Sequence, residues 1–72
     1  MTYNGYANYE TWNASLWIAN DRLIYHTARN CYSYQNFVRE MKGMGSTETG
    51  DGVRWDSVEI DDDEMDEVLA EL

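Results

Sequence analysis

The carboxylates of this chain are crowded into its last third, and that limits what the last third can become. Residues 48–72 hold eleven acids and one base, Arg54, for a net of −10. Residues 1–47 hold three acids (Glu10, Asp21, Glu40) and four bases (Arg22, Arg29, Arg39, Lys42), for a net of +1. A segment so charged joins a core only through an element that keeps its acids on one side. Met65, Val68, Leu69 and Leu72 supply an apolar stripe at helical spacing. Asp61 and Glu64 have capping-box spacing, with Asp in place of the usual Ser or Thr, and Ile60 and Met65 hold the two positions of a hydrophobic staple. The chain is therefore expected to end in an acidic amphipathic helix.

At 72 residues the chain is one domain, and large side chains must carry its core. Three Trp, six Tyr, one Phe and four Met do so, which argues against disorder despite a net charge of −9. The expected organisation over 1–72 is an aromatic helical part (1–44), a Gly-rich loop (45–52) and an acidic segment (53–72). Asn8 reads as an N-cap, with Glu10 in the first helical turn. Trp12, Leu16, Ala19 and Leu23 follow as one stripe, widened by Trp17 and Ile18. Asn20-Asp21 suits either the cap of a second helix over 22–29 or a kink in one continuous helix, and the break is the favoured expectation. Ser33 reads as the next N-cap, before Phe37, Met41 and Met44, with Gly43 and Gly45 as the stop. Val53, Trp55, Val58 and Ile60 alternate as a short strand would, and the Tyr-rich N-terminus is the partner available to pair with it. The fold class is mainly α: three or four short helices around an aromatic core, with room for a small two-stranded β element.

Several function classes fall away on composition. Cys31 is alone, which excludes an intramolecular disulfide and fits a reducing compartment. Residues 1–5 have neither the basic start nor the apolar run of a signal peptide, and no apolar stretch approaches a membrane span. The expected location is the cytoplasm. Catalysis needs a nucleophile with a base in reach. The one His and one Cys, His26 and Cys31, lie five residues apart and point away from each other on a continuous helix, so they read as a surface His and a buried Cys. No catalytic residue, cofactor or metal site is expected. An EF-hand loop begun at Asp51 has Val53 at its third position, and one begun at Asp61 has Met65 at its fifth.

The acids of the last helix carry the functional reading. At about 100° per residue, Asp62, Asp63, Glu64, Asp66, Glu67 and Glu71 share one broad face opposite the apolar stripe. Between Asp61 and Glu71 the helix rises about 15 Å. Seven carboxylates over that length give about one charge per 2 Å, close to the one per about 1.7 Å of duplex DNA. Asp56 and Glu59 lie just upstream and extend the candidate surface, as do Glu48 and Asp51. A plainly solvated face with dipole-favoured acids in its first turn explains Asp61 to Glu64. It does not explain Asp66, Glu67 and Glu71, whose repulsion has no basic partner at i+4. The expected partner is a basic protein surface, with neither nucleic acid nor membrane bound directly; a monomer is the favoured state. Tyr3, Tyr6, Tyr9 and Trp12 among Asn4, Asn8 and Asn13 have the look of a stacking platform for single-stranded nucleic acid. That mode requires a basic groove, which this half lacks.

The segment Asn8-Tyr9-Glu10-Thr11-Trp12-Asn13, followed by Leu16-Trp17 and Asn20-Asp21, resembles a family of short proteins from phages and mobile elements of bacteria. The resemblance covers residues 4–29. With the small size and acidity, it implies an inhibitor of the anti-CRISPR or anti-restriction type that imitates DNA. The motif lies outside the acidic segment, so the role passes to Asp56, Glu59, Asp61, Asp62, Asp63, Glu64, Asp66, Glu67 and Glu71 through their charge. The other reading is an adaptor or host-takeover module that docks through its aromatic half, with Tyr3, Tyr6, Tyr9 and Trp17 as anchors.

Overall fold

The computed structural model describes residues 2–72. They form four helices: α1 (Tyr9–Asn20), α2 (Arg22–Arg29), α3 (Tyr34–Gly43) and α4 (Asp62–Ala70). Each starts where a short polar side chain satisfies an amide that the first turn leaves free. Asn8 accepts from Thr11 N at 2.9 Å, Asp21 from Ile24 N at 3.1 Å, Ser33 from Asn36 N at 3.1 Å, and Asp61 from Glu64 N at 3.0 Å. The break at Asn20-Asp21 is real. Asp21 is extended (φ −103°, ψ 123°), closes α1 through its N–H to Trp17 O, and caps α2 with its carboxylate. Before α1, Tyr3 and Tyr6 exchange both backbone hydrogen bonds across Asn4 and Gly5, whose positive φ values of 49° and 88° suit a tight hairpin turn.

The helices pack in sequence, α1 on α2, α2 on α3 and α3 on α4, and α4 returns to α1. Inside this ring lie Ile18, Ala28, Tyr34, Phe37, Met41, Met65 and Leu69. Trp55, from the connection between α3 and α4, fills the centre at 1% exposure. Its ring meets Phe37 edge-on at 5.2 Å, and Phe37 stacks with Tyr34 at 5.6 Å, geometries that match ring quadrupoles. Tyr34 Oη donates to Trp55 O at 2.7 Å, so the buried hydroxyl is satisfied. Burial, and then the Asp62 and Asp56 carboxylates, push its ionisation well above the ordinary tyrosine range.

Three expectations are corrected. The inward face of α1 is Thr11, Asn13, Ala14, Ser15 and Ile18. The stripe expected to be buried is turned by about one residue: Trp12 and Leu16 are half-buried, and Ala19 and Leu23 are exposed. Met44, placed in the α3 stripe, is likewise exposed just past that helix. Polar partners on the facing loop decide the rotation of α1, as described below. The third correction concerns Val53–Ile60, which does not pair with the N-terminus. Thr49 N donates to Val53 O at 2.7 Å and Trp55 N to Thr47 O at 3.2 Å, with a lone antiparallel bridge between Glu48 and Arg54. The chain hooks back on itself through the Gly-rich loop and then passes through turns at 56–60. Intended β content reduces to two isolated bridges among the described residues.

Candidate acidic interface

The apolar side of α4 is set by Met65 and Leu69, both buried, with Val68 and Leu72 half-buried beside them. Ile60 is buried just before the Asp61 cap, as the staple predicts. With this side held to the core, Asp62, Asp63, Asp66, Glu67 and Glu71 are exposed on the other. At about 100° per residue these five span one half-turn of the helix surface. The last turn of α4 carries no basic residue. Among the described residues, none of the five is within ion-pair distance of a cation: Lys42 and Arg54 both go to Asp56, at 3.0 Å each.

The nine carboxylates singled out from the sequence do not behave as one surface. Asp56 is an ion-pair centre. The hydrogen bond from Arg54, then that from Lys42, hold its carboxyl at about 2. Asp61 is the α4 cap. Glu64, expected on the acidic face, sits half-buried at its edge. Its Oε1 accepts from Ala7 N at 2.8 Å, while the amide it would meet in a closed capping box, Asp61 N, donates to Thr11 Oγ1 at 3.0 Å. Asp66 keeps one side to solvent and accepts from Tyr34 N at 2.7 Å, at the start of α3, where a carboxylate also meets the positive helix end. Glu59 lies exposed on the turn before α4, and its carbonyl accepts from Asn8 Nδ2. Of these nine, the carboxylates that form no side-chain hydrogen bond among the described residues are Glu59, Asp62, Asp63, Glu67 and Glu71.

Asp51, proposed as an upstream extension of the surface, belongs to a polar network at α1. Asn13, fully buried, accepts from Thr49 Oγ1 at 2.7 Å and donates to Asp51 Oδ2 at 2.8 Å, while Trp17 Nε1 donates to the same oxygen at 2.9 Å. Those two bonds, Asn13 first, lower the Asp51 carboxyl below its ordinary range. Thr49 Oγ1 also accepts from the amides of Asp51 and Val53, at 3.2 Å each. Gly50 lies against the Trp17 ring so closely that a Cβ there would overlap it. The polar residues of the N-terminal motif thus tie α1 to the C-terminal third: Asn8 to Glu59, Thr11 to Asp61, and Asn13 to Thr49 and Asp51. Nothing in local spacing marks Asn13 as buried. The signal lay in polar residues interrupting an aromatic helix.

Cys31 is half-buried, not fully buried as expected, and its Sγ donates to Thr27 O at 3.1 Å. Burial, followed by the charge of Glu40, pushes the thiol's pKa above its ordinary value and disfavours the thiolate, the reverse of what a reactive cysteine needs. His26 is exposed on α2. Among the described residues no three His, Cys, Asp or Glu side chains are grouped to hold a metal ion, and no helix is long and apolar enough to cross a membrane. A family model described as a family of unknown function, DUF7249, matches residues 1–72, so the chain belongs to that family. No curated protein and no solved structure matches it.

Proposed function

We propose that this member of a family of unknown function is a phage-type inhibitor of a bacterial DNA-binding defence complex, an anti-CRISPR acting by DNA mimicry in the host cytoplasm. It binds and does not catalyse. The observation that carries the reading is the outward face of α4. Among the described residues no cation lies within ion-pair distance of the five carboxylates that share it, although their mutual repulsion lowers helix stability. A face carrying five carboxylates, about one per 3 Å of helix rise, suits the Lys/Arg channel that otherwise takes a phosphate backbone. The test is competition. Purified protein should displace target DNA from a CRISPR effector complex in a mobility-shift assay, with displacement falling steeply as salt rises. Reversal of Asp62, Asp63, Glu67 and Glu71 to Lys should abolish it. Asp66 is kept, because its carboxylate also holds α3. Displacement undiminished in the reversed protein sinks the proposal.

A second reading rests on the aromatic cluster before and within α1. Tyr3, Tyr9 and Trp12 pack with centroids 5.0–5.7 Å apart, and Tyr3 and Tyr9 stay 42% and 38% exposed. Such a cluster suits the anchor of a protein interface. Tyr6 is half-buried and Trp17 is held by Asp51, which narrows the anchors to Tyr3 and Tyr9. Under this reading Tyr3→Ala with Tyr9→Ala removes binding and salt has little effect.

A further inference from the structure

Beside the acidic helix lies a groove that backbone mimicry does not require. It runs between the start of α3 and the turns leading into α4, holds about 420 Å³, and is lined by Gln35, Val38, Asp56, Val58 and Asp62 above the buried Trp55. Val58 is 95% exposed, an apolar side chain in a stretch that otherwise presents acids and hydroxyls. Asp56 is already matched by Lys42 and Arg54. Among the described residues, Asp62 is the groove carboxylate with neither an ion-pair nor a hydrogen-bond partner. An apolar wall next to a free carboxylate complements a side chain with a long apolar stem and a charged, planar end.

We propose that this groove takes an arginine side chain of a basic protein partner, its stem across Val58 and Val38 and its guanidinium on Asp62. Arginine suits the place better than lysine because its fork meets a carboxylate with two hydrogen bonds and is more weakly hydrated. The inference rests on the proposed function for the basic character of the partner and adds the position and kind of its anchor. It makes Asp62 unequal to its neighbour Asp63, which a uniform acidic face does not.

Labelled ten-residue arginine and lysine peptides, titrated into the full-length protein at low salt and read by fluorescence anisotropy, test it. The wild type should favour the arginine peptide. Asp62→Asn should weaken that peptide about tenfold, the loss of one charge-assisted bidentate contact. Asp63→Asn, the same charge change one residue on, should cost less than about twofold. Val58→Ser, an exposed substitution that leaves the core intact, should weaken the arginine peptide about threefold and the lysine peptide less. Equal losses from Asp62→Asn and Asp63→Asn overturn the groove and leave the acidic-face reading standing. If neither peptide binds the wild type, the basic-partner reading falls, and the groove with it. A dimer in sedimentation that Val58→Ser dissolves assigns the groove to a second copy and likewise overturns the proposal.

Discussion

Asn13 occupies a fully buried position on α1 where an aliphatic residue is the ordinary choice. Its amide accepts from Thr49 and donates to Asp51, so both ends of the side chain are used. Replacing it with Ala strands the buried Thr49 hydroxyl and opens a cavity. Asn13→Ala should cost about 2–3 kcal/mol in urea unfolding, more than a surface substitution by a wide margin. Asp56 offers a test by pH. Its carboxyl is held down to about 2 by Arg54 and then Lys42. A depressed folded value means that its contribution is present above the unfolded value near pH 4 and disappears as pH falls through about 2. The pair is exposed, so the effect is small. Wild type and Asp56→Asn should differ slightly in urea midpoint from pH 7 down to about pH 4 and converge by about pH 2.

Among the elements, α4 sets stability against binding. Its first turn carries Asp62, Asp63 and Glu64 at the positive helix end, where they are favourable. Its last turn has no base, and Glu71 sits at the negative end as the C-cap residue. Glu71→Lys should therefore raise stability by about 0.5 kcal/mol, seen as a higher melting temperature, and weaken capture of a basic partner. Glu64 gives the contrasting case. Its carboxylate accepts from Ala7 N, which joins the lead-in to α4. Glu64→Ala should free that segment, measured as faster amide exchange at Ala7, with little change in peptide binding. A cap and a charged face look alike in sequence, since both are written in Asp and Glu.

Over the whole molecule the self-repulsion of a net charge of −9 opposes folding, and most of it arises in residues 48–72. The ring of helices keeps those charges outward by returning α4 to α1. Raising NaCl from about 0.01 M to 0.5 M shortens the screening length from roughly 30 Å to a few Å. The melting temperature should rise over that range while affinity for a cationic peptide falls. Opposite trends from one variable separate a stability effect from a binding effect. A melting temperature that falls with salt would show that the Asp56 ion pairs outweigh the repulsion along α4.

Helix starts and the two faces of α4 were legible in the sequence, because a cap bonds an amide three residues on and an amphipathic face repeats within four. Asn8, Asp21, Ser33 and Asp61 act over that range, and each caps the helix that its position in the sequence predicts. The rotation of α1 was not legible, since its aromatic stripe competes with Thr11 and Asn13, whose partners Asp61 and Asp51 lie 50 and 38 residues away. Nor was the sorting of the acids. Glu64 and Asp66 find amides 57 and 32 residues distant, and only the closed ring brings these together. Charge and periodicity are local and determined that an acidic face would exist; long-range hydrogen bonds, which cost free energy when left unmade in a core, decided which carboxylates remain on it.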